Sequence, residues 1–593
     1  MSEGLDLAPI GNCGVSALID RRGRYVWSCA PRVDGDPVFC RLLDADKAYG
    51  EWSIELEGQV AVEQDYLRNT AVLRTLLTDD RGAVVEILDF APRHWRSGRI
   101  FRPAAFIRRL RPVSGVARMR IRLRPARDWG AAPCERTWGS NHIRYLGGAA
   151  ALRLTTNAPI SAILNERPFR LEEELSLFLG PDEPFTGDVS DVCRDMTGKT
   201  IAYWQSWVRT LAVPLDYQAA VIRAAIALKL CVHEDTGAIV AALTTSVPEA
   251  PGSGRNWDYR YCWLRDAYYV VQALTRLSAL DILERYLAFL RNLVDGAEDG
   301  HIQPVYGVGL ETDLTERTEA ALAGYMGMGP VRVGNQAYVQ HQHDVYGQVV
   351  LSNVQAFFDQ RLLRPASVED FRSLEAVGER AFLTHDQPDA GLWEYRTRTR
   401  IHTYSALMSW AACDRLANAA EILGLGDRAD HWRARARVVR ERIEREAWNE
   451  KLGRFAASFG GDELDASLLQ VVDLQFLDPS DLRYQQTLAA VEAGLRRGSY
   501  LLRYSEADDF GLPETAFNFC TFWFIEALHR AGRTDEARVL FDEMLSRRTR
   551  AGLLSEDIAL KDGRLWGNYP QTYSLVGLIN CASLLSRPWS AVR

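Results

Sequence analysis

Two glutamates about 160 residues apart stand in surroundings suited to carboxyl chemistry: Glu394 in Gly391-Leu392-Trp393-Glu394 and Glu556 in Gly552-Leu553-Leu554-Ser555-Glu556. Each lies among apolar and aromatic neighbours at the edge of a predicted helix. Cleaving a glycosidic bond with inversion needs such a pair, an acid that protonates the leaving oxygen and a carboxylate that activates water on the opposite face of the sugar. Trp393 and Tyr395 would partly desolvate Glu394, the setting of a proton donor. The competing reading is a surface ion pair with Arg396. Glu556 precedes a turn and a last helix, where a carboxylate can hold a water and remove its proton. Asp557 adjoins it, and residue types alone leave open which of the two faces a site and whether either is only a helix cap.

Two other clusters carry polar groups fit for sugar hydroxyls. Residues 255–266 hold Arg255, Asp258, Arg260, Arg265 and Asp266 together with Trp257, Tyr259, Tyr261 and Trp263, directly before a predicted helix. An unpaired buried charge costs several kcal/mol, so this density has a purpose. Arg265 and Asp266 could form a polar fork for a sugar, whereas an interdomain salt-bridge network is the alternative. The second cluster, residues 330–336, offers Arg332 and Asn335, and Asn335 reads equally as an N-cap or as a hydroxyl ligand. His341 and His343 are two positions apart on a predicted helix and do not share a face, so no metal is expected. Trp263 and Trp393 have rings that can stack on a pyranose while their N–H groups bond a hydroxyl.

The elements that position these residues follow from hydrophobic periodicity. Between about residues 20 and 180, short segments alternate apolar and polar residues and are broken by Asp-Gly, Arg-Gly and Pro-rich turns, which predicts antiparallel strands in a sandwich. A turn-rich break and one helix, expected over residues 191–211, read as a linker. Beyond about residue 215 the period becomes 3.6, with helices expected over 216–233, 265–277, 281–297, 336–360, 368–383, 402–423, 427–446, 483–497, 514–531, 534–546 and 571–585, and a weaker one near 463–472. That number suits an (α/α)6 barrel, an open helical array being the alternative. The expected organisation is multidomain: an N-terminal antiparallel β-sandwich over 1–180, a helical linker over 181–214 and an all-α (α/α)6 barrel over 215–593.

Composition narrows the partners. At 593 residues, 47% hydrophobic and 25% charged, the chain reads as soluble and globular. Its formal charge of -8 argues against general attraction to nucleic acid or anionic membrane. The start shows no basic segment leading into an apolar one, and no apolar run spans a bilayer, so the cytoplasm is the default compartment. Ten cysteines are scattered singly, without metal-site pairs, and read as reduced core residues.

Taken in order, these segments resemble glycoside hydrolase family 15, the glucoamylase and glucodextranase family, and especially its bacterial cytoplasmic branch that includes trehalases. The resemblance runs from Ile10-Gly11-Asn12-Cys13 and Trp27-Ser28-Cys29-Ala30-Pro31-Arg32-Val33-Asp34 through residues 256–266, 330–335, 391–394 and Asp508-Asp509-Phe510-Gly511 to 554–556. It implies a β-sandwich, a linker and an α/α barrel, with Glu394 as general acid and Glu556 as general base. By the same resemblance Arg265 and Asp266 hold the nonreducing-end sugar, with Trp263 and Trp393 near it, and inverting hydrolysis needs neither metal nor cofactor. Two departures stand out. Relatives often read Cys-Leu-Pro-Arg-Phe-Asp where this chain has residues 29–34, which bears on domain packing. Tyr395 follows Glu394 where fungal members carry a second acid, which bears on the leaving-group side. The expected activity is release of β-glucose from nonreducing ends of α-glucans or maltooligosaccharides, with α,α-trehalose as the alternative substrate and an α-1,6 linkage third. Phosphorolysis is disfavoured because Glu556 occupies the place of the base.

Overall fold

The computed structural model describes residues 4–184, 186–297 and 300–592. Beside the short ribbons His94–Arg96 with Arg99–Phe101 and Ala126–Arg127 with Ala132–Pro133, its N-terminal part holds two large antiparallel sheets. One runs in the order Ala8–Gly11, Ser16–Ile19, Tyr25–Cys29, Glu51–Leu56, Ala117–Arg124, Phe169–Leu171, with Pro37–Phe39 paired to Tyr25–Cys29. The other is eight-stranded, from Glu135–Trp138 at one edge to Gln59–Tyr66 at the other. Strand Leu73–Asp79 buries every second residue, as side chains alternating across a sheet must when one face is covered. The buried rows of the two sheets meet over Tyr25, Trp52, Ile87, Phe106 and Met119, which makes the unit a β-sandwich.

Strands outside the alternating segments include Ala8–Gly11, Ser16–Ile19, Phe169–Leu171, Glu135–Trp138, His142–Leu146 and Leu175–Pro181. The last lies inside the eight-stranded sheet between Leu152–Thr156 and Phe106–Ser114. Helix Val189–Arg209 packs on the other face of this sheet, where Val189 and Cys193 join Val72, Phe90 and Ile107, so the strand is covered on both sides and the polar half of its pattern is lost.

The rest of the chain is an (α/α)6 barrel. Its inner ring is Leu264–Arg276, Asp344–Val354, Thr403–Ile422, the short Ala466–Leu469 and Gln470–Asp473 pair, Asn518–Arg530 and Thr572–Leu585. Each packs on the next and the last returns to the first. The outer ring is Gln218–Leu230, Leu280–Asp295, Val368–Thr384, Gly426–Glu446, Leu482–Leu495 and Thr534–Ser546. The sequence separates the rings. Gly426–Glu446 buries Ala429, Trp432, Ala436, Val439 and Ile443, a single stripe at helical spacing, whereas Thr403–Ile422 buries every residue from Thr403 to Cys413 because it touches neighbours all round.

The helix expected over 336–360 is broken. A 3-10 turn, Gln336–Val339, is capped by Asn335, whose Oδ1 accepts from Ala337 N at 2.9 Å, and the α-helix starts only at Asp344. The intervening backbone is held instead by Asp389, whose carboxylate accepts from His343 N at 2.8 Å. His341 therefore lies outside the helix and packs against His301 at 5.2 Å between ring centroids.

The sandwich and barrel share one apolar cluster, which runs from Leu5, Trp27 and Trp129 through Trp204 to Val247 and Tyr268. Trp27 Nε1 donates to the carbonyl of Leu243 at 2.8 Å. All ten cysteines are free. No helix among the described residues is long and apolar enough to cross a membrane.

Candidate active site

A cleft gathers residues from the segments that precede the inner helices: 255–266, Asn335, 392–396, 503–510, and Glu556 with Gln571 and Tyr573. It therefore lies at the N-terminal ends of the inner ring, where the free N–H groups and the helix dipoles favour negative charge. Glu394 and Glu556 both line it, together with Trp263, Arg265, Asp266, Asn335 and Trp393.

The side chains of segment 255–263 divide between two jobs. Arg255, Trp257, Tyr259 and Trp263 face the cleft. Asp258 and Arg260 point the other way, fully buried and paired at 2.7 and 2.9 Å, and Arg260 Nη1 donates to the carbonyl of Gly35 in the sandwich at 2.6 Å. The salt-bridge reading thus holds for Asp258 and Arg260, while Arg255, Trp257, Tyr259 and Trp263 line the cleft.

Glu394 sits on a turn with a positive φ of 60°, after Gly391, whose φ is 66°. Both hydrogen bonds to its carboxyl fall on Oε1, from Trp263 Nε1 at 2.7 Å and Arg265 Nη2 at 2.9 Å. Arg265 is held in turn by Tyr573 Oη at 2.9 Å and Gln342 Oε1 at 3.0 Å. Its guanidinium is thus engaged in fixing Glu394. The ion pair between Glu394 and Arg396 that was the competing reading is not made: Arg396 pairs with Glu316 at 2.9 Å, and Tyr395 stacks on His402. Asp266, in the first turn of its helix, is buried, and loss of hydration with the nearby Glu394 outweighs Arg265 and pushes its carboxyl up to about 7.

Glu556 is not at a helix edge but directly before strand Asp557–Ala559, which pairs with Thr515–Phe517 and Leu565–Trp566. Strand alternation sends its side chain into the cleft and sends Asp557 to Thr515, whose Oγ1 lies 3.1 Å from Asp557 Oδ1. Tyr259 Oη donates to Glu556 Oε1 at 2.6 Å, while the buried Oε2 has no protein partner. Gly567 makes room for this carboxyl: it has a φ of 75°, and a Cβ there would lie 2.5 Å from Glu556 Cβ. Burial first, then the charges of Glu249 and Asp557, drive the Glu556 carboxyl well above the usual glutamate range. Glu249 accepts from Trp257 Nε1 at 2.9 Å and pairs with Arg503, so three carboxyls crowd around one guanidinium.

Arg332 is a correction. It does not line the cleft; it pairs with Glu316 at 2.8 Å and its guanidinium lies 5.2 Å from the Trp257 ring, because the Arg317–Thr318 and Arg332–Val333 strands pair and hold it beside Glu316. Asn335 caps its turn and reaches the cleft as well. Trp393 lines the cleft by its ring alone, since Nε1 donates to Asp465 at 3.0 Å. Sequence reasoning passed over Glu249, Arg503 and Tyr573 as site residues. Tyr259 stood within a named cluster, but Arg503 has no local pattern to mark it.

A barrel that brings buried carboxyls, a guanidinium and indole rings together at the ends of its inner helices is the framework of a glycoside hydrolase. Residues 216–583 match the glycosyl hydrolases family 15, and residues 6–164 match the trehalase-like N-terminal domain. The chain belongs to glycosyl hydrolase family 15. A trehalase of Mycolicibacterium smegmatis is 31% identical, the alignment covering 97% of this chain and 90% of that protein. A trehalase of Thermoplasma volcanium is 30% identical, covering 97% and 92%. The crystal structure of a bacterial glucoamylase complexed with acarbose shares the fold with a TM-score of 0.68 at 13% identity, covering 98% of this chain and 94% of that one.

Proposed function

We propose that the protein hydrolyses α,α-trehalose to glucose with inversion at one anomeric carbon. Glu394 is the general acid. With Oε1 accepting from Trp263 and Arg265, Oε2 is the oxygen left to deliver a proton to the glycosidic oxygen. Glu556 is the general base. Tyr259 fixes Oε1, which leaves the unpartnered Oε2 to accept a proton from the attacking water. Asp266 and Trp263 bind the sugar being attacked, and Arg265 orients the acid. The observation that carries the mechanism is this pair of differently held carboxyls in one cleft. Inversion needs them about 6.5 to 9.5 Å apart, with room for a water.

The choice of trehalose rests on the relatives, two of them trehalases about 30% identical along nearly the whole chain. Trimming of α-glucans, the substrate expected first from sequence, is favoured only by likeness to a glucoamylase at 13% identity, which speaks for fold alone. The order of the two substrates is therefore reversed.

Proton NMR of trehalose, maltose, maltopentaose and isomaltose with the enzyme decides between them. Trehalose should be consumed fastest, giving equal amounts of β-glucose from the attacked ring and α-glucose from the leaving one before mutarotation. Faster loss of maltopentaose would restore the glucan reading, and initial α-glucose alone would overturn inversion.

A further inference from the structure

Exposure along the cleft tells its depth. Trp263, Arg265, Asp266 and Glu556 are buried, whereas Arg396 and Phe510 are exposed and Trp257, Asp508 and Asp509 half-buried, so the latter group marks the mouth. A tight turn lies across it. Asp508 N donates to Gly511 O at 3.0 Å, Gly511 N returns to Asp508 O at 3.2 Å, and Phe510 N donates to the Asp508 carboxylate at 2.8 Å.

The turn is tied down on two sides. Arg255 donates from both terminal nitrogens to the two oxygens of Asp508, each at 2.6 Å, and to Gly511 O at 3.0 Å. Opposite, Asp509 accepts from Arg396 N at 2.6 Å and from Thr397 N at 3.2 Å. Between the tethers the Phe510 ring meets Trp257 edge-on at 5.1 Å, and the Arg396 guanidinium lies 4.4 Å from the Trp257 ring. Bidentate, charge-assisted pairs of this kind hold a loop in one position better than single neutral bonds do.

We propose that the 508–511 turn is a cap that ends the leaving-group side of the cleft after one sugar, making it a determinant of chain length. The proposal rests on the disaccharide reading above and extends it. A second glucose would meet Arg396, which lies against the Trp257 ring, and Asp508 at the mouth. A third has to displace Phe510 and break both tethers.

The test uses α-glucosyl fluoride, whose leaving group is one atom and reports the acid-base machinery whatever the state of the mouth. Maltose and maltopentaose are then compared as competitors of its hydrolysis by the full-length enzyme. Maltopentaose should compete at least about tenfold more weakly than maltose, the cost of a built-in steric barrier. In the double variant Asp509→Ala/Phe510→Gly the gap should close to within about threefold, and Phe510→Gly alone should narrow it; turnover of the fluoride shows that each variant is folded. Equal competition in the wild type, or a double variant that still excludes maltopentaose, overturns the cap. A closing gap in an enzyme that leaves trehalose intact would keep the cap and discard trehalose as substrate.

Discussion

At the scale of single residues, the site is governed by which atoms of each carboxyl are already occupied. Replacement of Glu394 or Glu556 by Gln should each lower kcat by at least about a hundredfold, the scale of lost acid or base assistance. Circular dichroism should show both variants folded, and full activity in either would remove it from the mechanism. The crowding around Glu556 makes a second prediction. It faces Glu249, Asp557, Tyr259 and Arg503, and burial together with the two carboxyls raises its proton affinity. The ionised form needed for base catalysis therefore appears only at higher pH, and the acidic limb of kcat/KM should lie above the usual glutamate range. Glu249→Gln removes a negative neighbour, stabilises ionised Glu556 and should move that limb to lower pH. The limb belongs to the coupled cluster, and its failure to move would take Glu249 out of that cluster.

At the scale of elements, turns and short strands aim the chemistry that the barrel helices only support. Gly567→Ala places a methyl against Glu556 in a backbone conformation that side chains avoid. Since a misplacement of about 1 Å can cost a hundredfold in rate, kcat should fall at least tenfold while thermal unfolding stays cooperative. Unchanged turnover would show that the carboxyl has room to shift. Two elements depart from what hydrophobic period alone predicts. The run 336–360 has continuous helical period, yet the capping by Asn335 and the capture of His343 N by Asp389 divide it. Leu175–Pro181 lost its alternation because a helix from further along the chain covers its second face.

At the scale of the whole molecule, sandwich and barrel are joined by polar as well as apolar contacts. Arg260, fully buried, satisfies Asp258 and the sandwich carbonyl of Gly35 together. Arg260→Ala leaves a buried carboxylate unpaired and should destabilise the protein by about 3–5 kcal/mol. Denaturant unfolding followed at both near- and far-ultraviolet wavelengths would show it, and a loss below about 1 kcal/mol would mean that Asp258 finds another partner.

The sequence by itself determined that a strand region precedes a helical one, because hydrophobic period is local: two gives strands and 3.6 gives helices, while about twelve helices suit a closed double ring or an open array and the packing decided for the ring. It also marked Glu394, Glu556, Trp263, Arg265, Asp266, Asn335 and Trp393, which stand close to distinctive turns and aromatic runs and meet in one cleft. Tertiary structure alone decided the pairings. Arg332 was drawn away to Glu316, Arg265 was given Glu394 as a partner, and Glu249 and Arg503, about 250 residues apart, were brought against Glu556. The reason is physical: a residue's type limits what bonds it can make, but which bond a buried charge makes depends on what the fold places within about 3 Å of it.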